Sequence, residues 1–130
     1  MHFRVFGLAA LFTLLLALPI WAHHSHGQYV LSEFTVLEGT VKDVFFLNPH
    51  SWLRLEVKDD KGQMAVWALE GDGPKSIFGN GVKKSDVVAG DAIKVRCHRL
   101  SDGSNGCLLG FVTPMHGDAA RGHGVEKEWD

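Results

Sequence analysis

The sequence lacks the local motifs of common hydrolases and nucleotide-binding enzymes. It has no Gly-x-Ser-x-Gly nucleophile elbow, no glycine-rich phosphate loop and no His-Glu-x-x-His segment. Acidic residues lie near the ends of predicted strands, but no spacing fixes two of them as an acid–base pair. We therefore expect a protein that is not an enzyme. The alternative is an enzyme in which His50 and Glu70 act as acid and base. A large separation between these two groups would exclude it.

Positive charge is also scarce. The chain has 13 Lys and Arg residues against 15 Asp and Glu residues, with 45% hydrophobic and 22% charged residues. Nucleic-acid binding driven by phosphate contacts needs an excess of basic side chains. We expect no nucleic-acid partner, and the ordinary composition predicts one folded globular domain.

Long apolar runs are absent except at the N-terminus. Arg4 precedes an apolar run over residues 5–18, which is followed by Pro19 and the small residue Ala22. This order is typical of a secretory signal peptide, here residues 1–22. It predicts a periplasmic or secreted protein that meets the membrane only through this segment before cleavage. The alternative is an uncleaved membrane anchor.

Only two cysteines are present. Cys97 and Cys107 flank residues 101–106, which are rich in turn formers, and both continue onto strand-like runs. The two-residue period of a strand places both thiols on apolar faces. We predict a disulfide, which contributes about 2–3 kcal/mol in the loop-entropy model and suits an oxidising compartment. The alternative, a metal or redox site, normally uses a closer Cys-x-x-Cys spacing.

Strand-like segments fill the chain after residue 34. They cover residues 35–47, 51–58, 63–69, 92–100 and 107–113, with a short helix at 74–78. Gly39 predicts a bulge or bend in the first segment. A bent first strand that serves two sheets predicts an all-β, small five-stranded OB-like Greek-key barrel over residues 23–114. An open meander or small sandwich is the alternative. Residues 115–130 lack apolar periodicity and are predicted to form a flexible tail.

Several segments together resemble a family of small exported bacterial proteins of unknown function. They are Ala-His-His-Ser at 22–25, Glu-Gly-Thr-Val at 38–41, Asn-Pro-His-Ser-Trp-Leu at 48–53, Trp67, and Ala-Gly-Asp at 89–91. The resemblance covers residues 23–114 and implies export and a small β-barrel. It implies no activity, substrate or cofactor. Members of the family usually lack paired cysteines in the last hairpin, so the disulfide is a departure.

Histidines cluster at the predicted cleavage site. Cleavage after Ala22 gives His23 a free α-amino group, with His24 and His26 close behind. An amine and imidazoles form the nitrogen-rich set that copper(II) prefers, and His50 can supply a further ligand. The sequence predicts an exported binding protein for a transition metal, copper before zinc or nickel. The alternative is incidental metal binding by a His-rich terminus.

Aromatic residues suggest a second kind of site. Asn48 and Pro49 form a rigid turn before Trp52, and Trp67 lies on the third strand, in the region where OB barrels bind ligands. Asn48, Trp52 and Trp67 are therefore candidates for binding a small apolar ligand or a periplasmic partner protein. Their alternative role is structural. The neighbouring aromatics are assigned to the core: Phe45 and Phe46.

Overall fold

The structure is a computed structural model that describes residues 25–130; the predicted signal peptide, His23 and His24 lie outside this range. Six strands form one sheet. They are β1 Thr35–Phe45, β2 Ser51–Lys58, β3 Met64–Gly71, β4 Ala92–Arg99, β5 Gly106–Pro114 and β6 Lys127–Glu128, and the helix α1, Pro74–Gly79, lies between β3 and β4. No helix in residues 25–130 is long and apolar enough to cross a membrane.

Strand pairing closes the sheet into a barrel. β1 pairs antiparallel with β2 on one side and with β4 on the other. β3 continues from β2, β5 continues from β4, and β3 and β5 pair in parallel. This closure confirms the five-stranded OB-like barrel and excludes an open meander.

The bend in β1 makes the closure possible. Its first half, from Thr35 to Thr40, pairs with β4, and its second half, from Thr40 to Phe45, pairs with β2. Gly39 lies at the change of partner, where an added Cβ would be 2.2 Å from the backbone oxygen of Glu56. Only glycine permits such a close approach. A register shift between Val41 and Asp43 adds a bulge just beyond the bend.

Alternating apolar residues fill the barrel. Leu53 and Leu55 of β2 and Leu69 of β3 are fully buried, while intervening residues of these strands face outward. The disulfide between Cys97 and Cys107 is also fully buried and joins β4 to β5. The predicted disulfide is therefore confirmed, and the bond lies within the core.

The C-terminal segment differs from the predicted flexible tail. β6 pairs with β5, and Trp129 is only 2% exposed, with its backbone N–H donating to the Gly110 oxygen at 2.9 Å. Phe46 packs against Trp129, as its core assignment requires, whereas Phe45 is 45% exposed and does not belong to the core. A two-residue strand and one tryptophan give no periodicity, so the sequence pattern did not reveal this element.

Candidate functional site

A buried carboxylate on the outside of the barrel forms the centre of the site. Because Trp67 and Leu69 face the core, the alternation of β3 turns Glu70 outward, yet Glu70 is only 3% exposed. The segment before β1 covers it. Tyr29 in this segment forms a β-bridge with Leu100 and is itself 7% exposed. A buried carboxylate needs hydrogen-bonding partners, and the fold brings them from distant parts of the chain.

Both oxygens of the Glu70 carboxylate have a partner. Oε1 lies 2.5 Å from His50 Nδ1, and Oε2 accepts a hydrogen bond from the Tyr29 hydroxyl. Burial, followed by the adjacent carboxylate, raises the pKa of Tyr29 above its ordinary value, so the phenol remains a donor. A carboxylate accepts hydrogen bonds, so His50 Nδ1 carries the proton. In the neutral imidazole the lone pair is then on Nε2.

The turn before β2 positions the imidazole. The peptide bond between Asn48 and Pro49 is cis, and His50 follows it directly. The turn packs closely on the loop after β3, because an added Cβ at Gly73 would lie 3.0 Å from the Pro49 oxygen and 3.2 Å from Asn48 Oδ1. Asn48 therefore lies in this contact with the loop. The His50 side chain remains 32% exposed, so the ring reaches the surface beside a buried anchor.

Asp72 follows β3, and its backbone oxygen accepts a hydrogen bond from the Ser51 N–H at 3.1 Å. The Ser76 side chain and the Gly73 N–H, at 2.8 Å, hold the pKa of Asp72 below its ordinary value. His50 and His26 add smaller electrostatic contributions in the same direction. No three His, Cys, Asp or Glu side chains within residues 25–130 are grouped closely enough to hold a metal ion. The other two predicted ligands, His23 and His24, lie outside the described residues.

The two candidate tryptophans lie on opposite faces of the sheet. Trp52 is 37% exposed and stands on the outer surface in register with Phe45 and Glu70. Trp67 is buried, with the Arg99 guanidinium 5.0 Å from its ring centroid. The structure therefore does not bring Trp52 and Trp67 onto one ligand-binding face. Trp52 borders the Glu70 site, and Trp67 belongs to a different part of the barrel.

Comparison with known proteins places the chain in a family. DUF6152, a family of unknown function, matches residues 12–109. The chain belongs to this family. No curated protein and no solved structure matches it. The DUF6152 match agrees with the resemblance to a family without known activity; it includes Tyr29, His50 and Glu70 and ends before Trp129.

The geometry of this DUF6152 chain limits the chemistry of the site. An acid and a base that act on opposite sides of a substrate stand apart from one another. His50 and Glu70 are instead bonded to each other, so the large separation that would exclude this acid–base pair is not observed. The arrangement orients the His50 imidazole and leaves its Nε2 directed away from Glu70.

The sequence analysis did not predict a role for Tyr29, which is the only tyrosine in the chain.

Proposed function

We propose that this DUF6152 protein is exported and binds a transition metal, copper(II) before zinc or nickel, through His50 and the N-terminal histidines. The observation that carries the proposal is the 2.5 Å contact of His50 Nδ1 with buried Glu70, which Tyr29 supports from the other side. Metal-binding histidines usually give their second ring N–H to a carboxylate, which fixes the tautomer and raises the basicity of the ligating nitrogen. His50 has this partner before any metal is added.

The N-terminal cluster supplies the other ligands in this proposal. His26 lies close enough to Asp72 to affect its pKa, as His50 does. His23 and His24 are three and two residues from His26, a span of at most about 11 Å of extended chain. Cleavage after Ala22 would add the α-amino group of His23. An amine and several imidazoles suit copper(II) better than the harder cations.

Export is supported by two independent features. The N-terminal residues have the order of charge, apolar run and small residue that a signal peptide requires. The only two cysteines form the disulfide between Cys97 and Cys107, and disulfides persist in oxidising compartments. In such a compartment, cleavage would create the His23 terminus on which the metal proposal depends.

The test is copper(II) titration of the processed protein, isolated from the periplasm of a bacterial host and freed of metal. We expect one copper ion, with nitrogen hyperfine structure in the electron paramagnetic resonance spectrum. His23→Ala and His50→Ala should each weaken binding at least tenfold. The matched control is His98→Gln, because His98 Nδ1 contacts the Glu33 backbone oxygen at 2.6 Å and lies outside the site.

Three results would contradict the proposal. The first is the absence of stoichiometric copper uptake by correctly processed protein. The second is uptake that survives the double replacement of His23 and His50. The third is equal weakening by the His98→Gln control, which would mean that copper binds to any histidine on the surface.

A further inference from the structure

A cavity of about 370 Å³ opens at the other end of the strands that carry the Glu70 site. Its walls come from β1, the β2–β3 hairpin and the end of β4. β2 begins beside His50 and ends at Lys58 on the cavity rim, so the two sites are separated by roughly 20 Å of strand. The cavity volume falls in the range of small-molecule sites, about 300–1,000 Å³.

The walls of the cavity contain an apolar part and a cationic part, beside two aspartates and Asn105. The apolar part is formed by Leu37, Val57, Ala65 and Trp67. The cationic part is formed by Lys58 and Arg99. Amphipathic lining of this kind suits a ligand with an apolar body and a charged end.

The Arg99 guanidinium is held in place without an anionic partner. It lies 5.0 Å from the centroid of the Trp67 ring, a cation–π contact that orients the group. In the part of the chain that the structure describes, neither Arg99 nor Lys58 forms an ion pair. Three arginines among the described residues do form such pairs: Arg54 with Asp43, Arg96 with Glu126, and Arg121 with Asp91.

Two acidic residues, Asp59 and Asp60, also line the cavity, and neither forms an ion pair with Lys58 or Arg99. Asp59 Oδ1 accepts hydrogen bonds from the backbone N–H groups of Lys61 and Gln63, at 2.9 and 2.8 Å, so this carboxylate is engaged within the hairpin turn. Asp60 is exposed to solvent, where its charge is screened. The two aspartates offset part of the positive charge of Lys58 and Arg99, which favours a ligand with one negative charge over a nucleotide or polyphosphate.

We infer that the cavity binds a compact aromatic monocarboxylate. Its carboxylate would accept paired hydrogen bonds from the planar fork of Arg99, with Lys58 beside it, and its ring would lie against Val57 and Trp67. This site is separate from the proposed metal site and does not depend on it. The observations that carry the inference are the unpaired guanidinium held over Trp67 and the apolar wall next to it.

The test is fluorine NMR with 4-fluorobenzoate and the metal-free, processed protein. We expect saturable binding, and at least tenfold weaker binding of the neutral analogue 4-fluorobenzamide. Arg99→Gln should weaken 4-fluorobenzoate binding at least tenfold. The control Arg54→Gln, on the outer surface of β2 and paired with Asp43, should leave the affinity within twofold.

Two further variants keep the test decisive. Lys58 is exposed, so Lys58→Gln should fold normally and weaken binding several-fold. Arg99→Lys keeps the charge but loses the planar fork, and should bind with intermediate affinity. Equal binding of the acid and the amide, an unchanged affinity in Arg99→Gln, or no saturation would overturn the inference. His50→Ala should not change the affinity, so this result is independent of the copper titration.

Discussion

Two buried carboxylates in this barrel have opposite surroundings. Asp86 Oδ2 accepts hydrogen bonds from Lys127 Nζ at 2.8 Å and from the Lys83 N–H at 2.9 Å, so a cation neutralises it directly. Glu70, equally buried, is bonded to Tyr29 and His50, which leaves an imidazole nitrogen at the surface. The comparison shows that burial alone does not distinguish the two carboxylates. They differ in their partners: Asp86 is bonded to a cation, whereas Glu70 is bonded to a phenol and an imidazole.

Asp86 belongs to a set of contacts that hold the C-terminal segment, which we call the latch. Besides the Lys127 contact, Arg121 pairs with Asp91, and Arg121 Nε donates to the Ser85 backbone oxygen at 2.7 Å. These contacts join residues 115–130 to the loop between α1 and β4. We define the latch as residues 115–130 with their partners Ser85, Asp86 and Asp91. Its groups are bonded to one another, so we assign it to stability.

The largest expected effect comes from the apolar end of the latch. Trp129→Ala removes a side chain that is 98% buried in the core, and such truncations cost about 3–5 kcal/mol. Circular dichroism during a urea titration measures this loss of stability. Native mass spectrometry then measures how much copper the molecules that remain folded bind. Unchanged unfolding would show that the segment is detached and that the predicted flexible tail was right. The control Val125→Ala alters an exposed residue of the same segment and should have little effect.

The next effect separates the two carboxylates by pH. Burial by itself would raise the pKa of Asp86, but the contacts with Lys127 and the Lys83 N–H outweigh it, and the pKa is lowered. A carboxyl group whose pKa is lower in the folded state than in the unfolded state stabilises the fold fully at pH values above the unfolded-state pKa, about 3.9. This contribution is lost as the pH falls through the folded-state pKa.

Asp86→Asn should therefore lower the free energy of unfolding by about 2 kcal/mol at pH 7. The difference from wild type should shrink as the pH falls from 4 towards 2, because protonated Asp86 is also neutral. Urea midpoints at these pH values measure it. A difference that stays constant with pH would mean that the ion pair with Lys127 contributes nothing to stability. Copper affinity at pH 7 should remain unchanged, in contrast to the effect expected at Glu70.

The barrel was predictable because its signals are local. Alternation placed β2 at residues 51–58, and the turn formers between Cys97 and Cys107 indicated the last hairpin. The Glu70 site was not predictable in the same way, because Tyr29 is 41 residues from Glu70 and the contact depends on how the N-terminal segment crosses the barrel. Such contacts are long-range and leave no periodic pattern.

The tryptophans show an intermediate case. The alternation of buried and exposed residues in β2 directs the Trp52 side chain away from the core, and this alternation is visible in the sequence. The inward direction of Trp67 depends on its register opposite Leu55, which the hairpin turn determines. Strand positions alone therefore suggested a shared face. The register, which only the structure gives, separated the two side chains.

The smallest expected change in stability gives the sharpest test of the comparison. Glu70→Gln preserves the shape of the side chain, and the amide oxygen accepts the Tyr29 hydrogen bond, so the free energy of unfolding should change by only about 1 kcal/mol. The amide NH2 then faces His50 Nδ1 and cannot accept its proton, so the tautomer with the lone pair on Nε2 is no longer stabilised. Loss of such a carboxylate partner typically lowers metal affinity 10–100-fold, and we expect this range for copper(II).

Glu126→Gln is the matched control for this last variant, because Glu126 is exposed and pairs with Arg96 outside the site. It should leave copper affinity unchanged. If Glu70→Gln binds copper as tightly as this control, the contact between Glu70 and His50 is structural, like that between Asp86 and Lys127. If only Glu70→Gln loses affinity while both variants stay folded, the two buried carboxylates differ in function because His50 extends one of them to the surface.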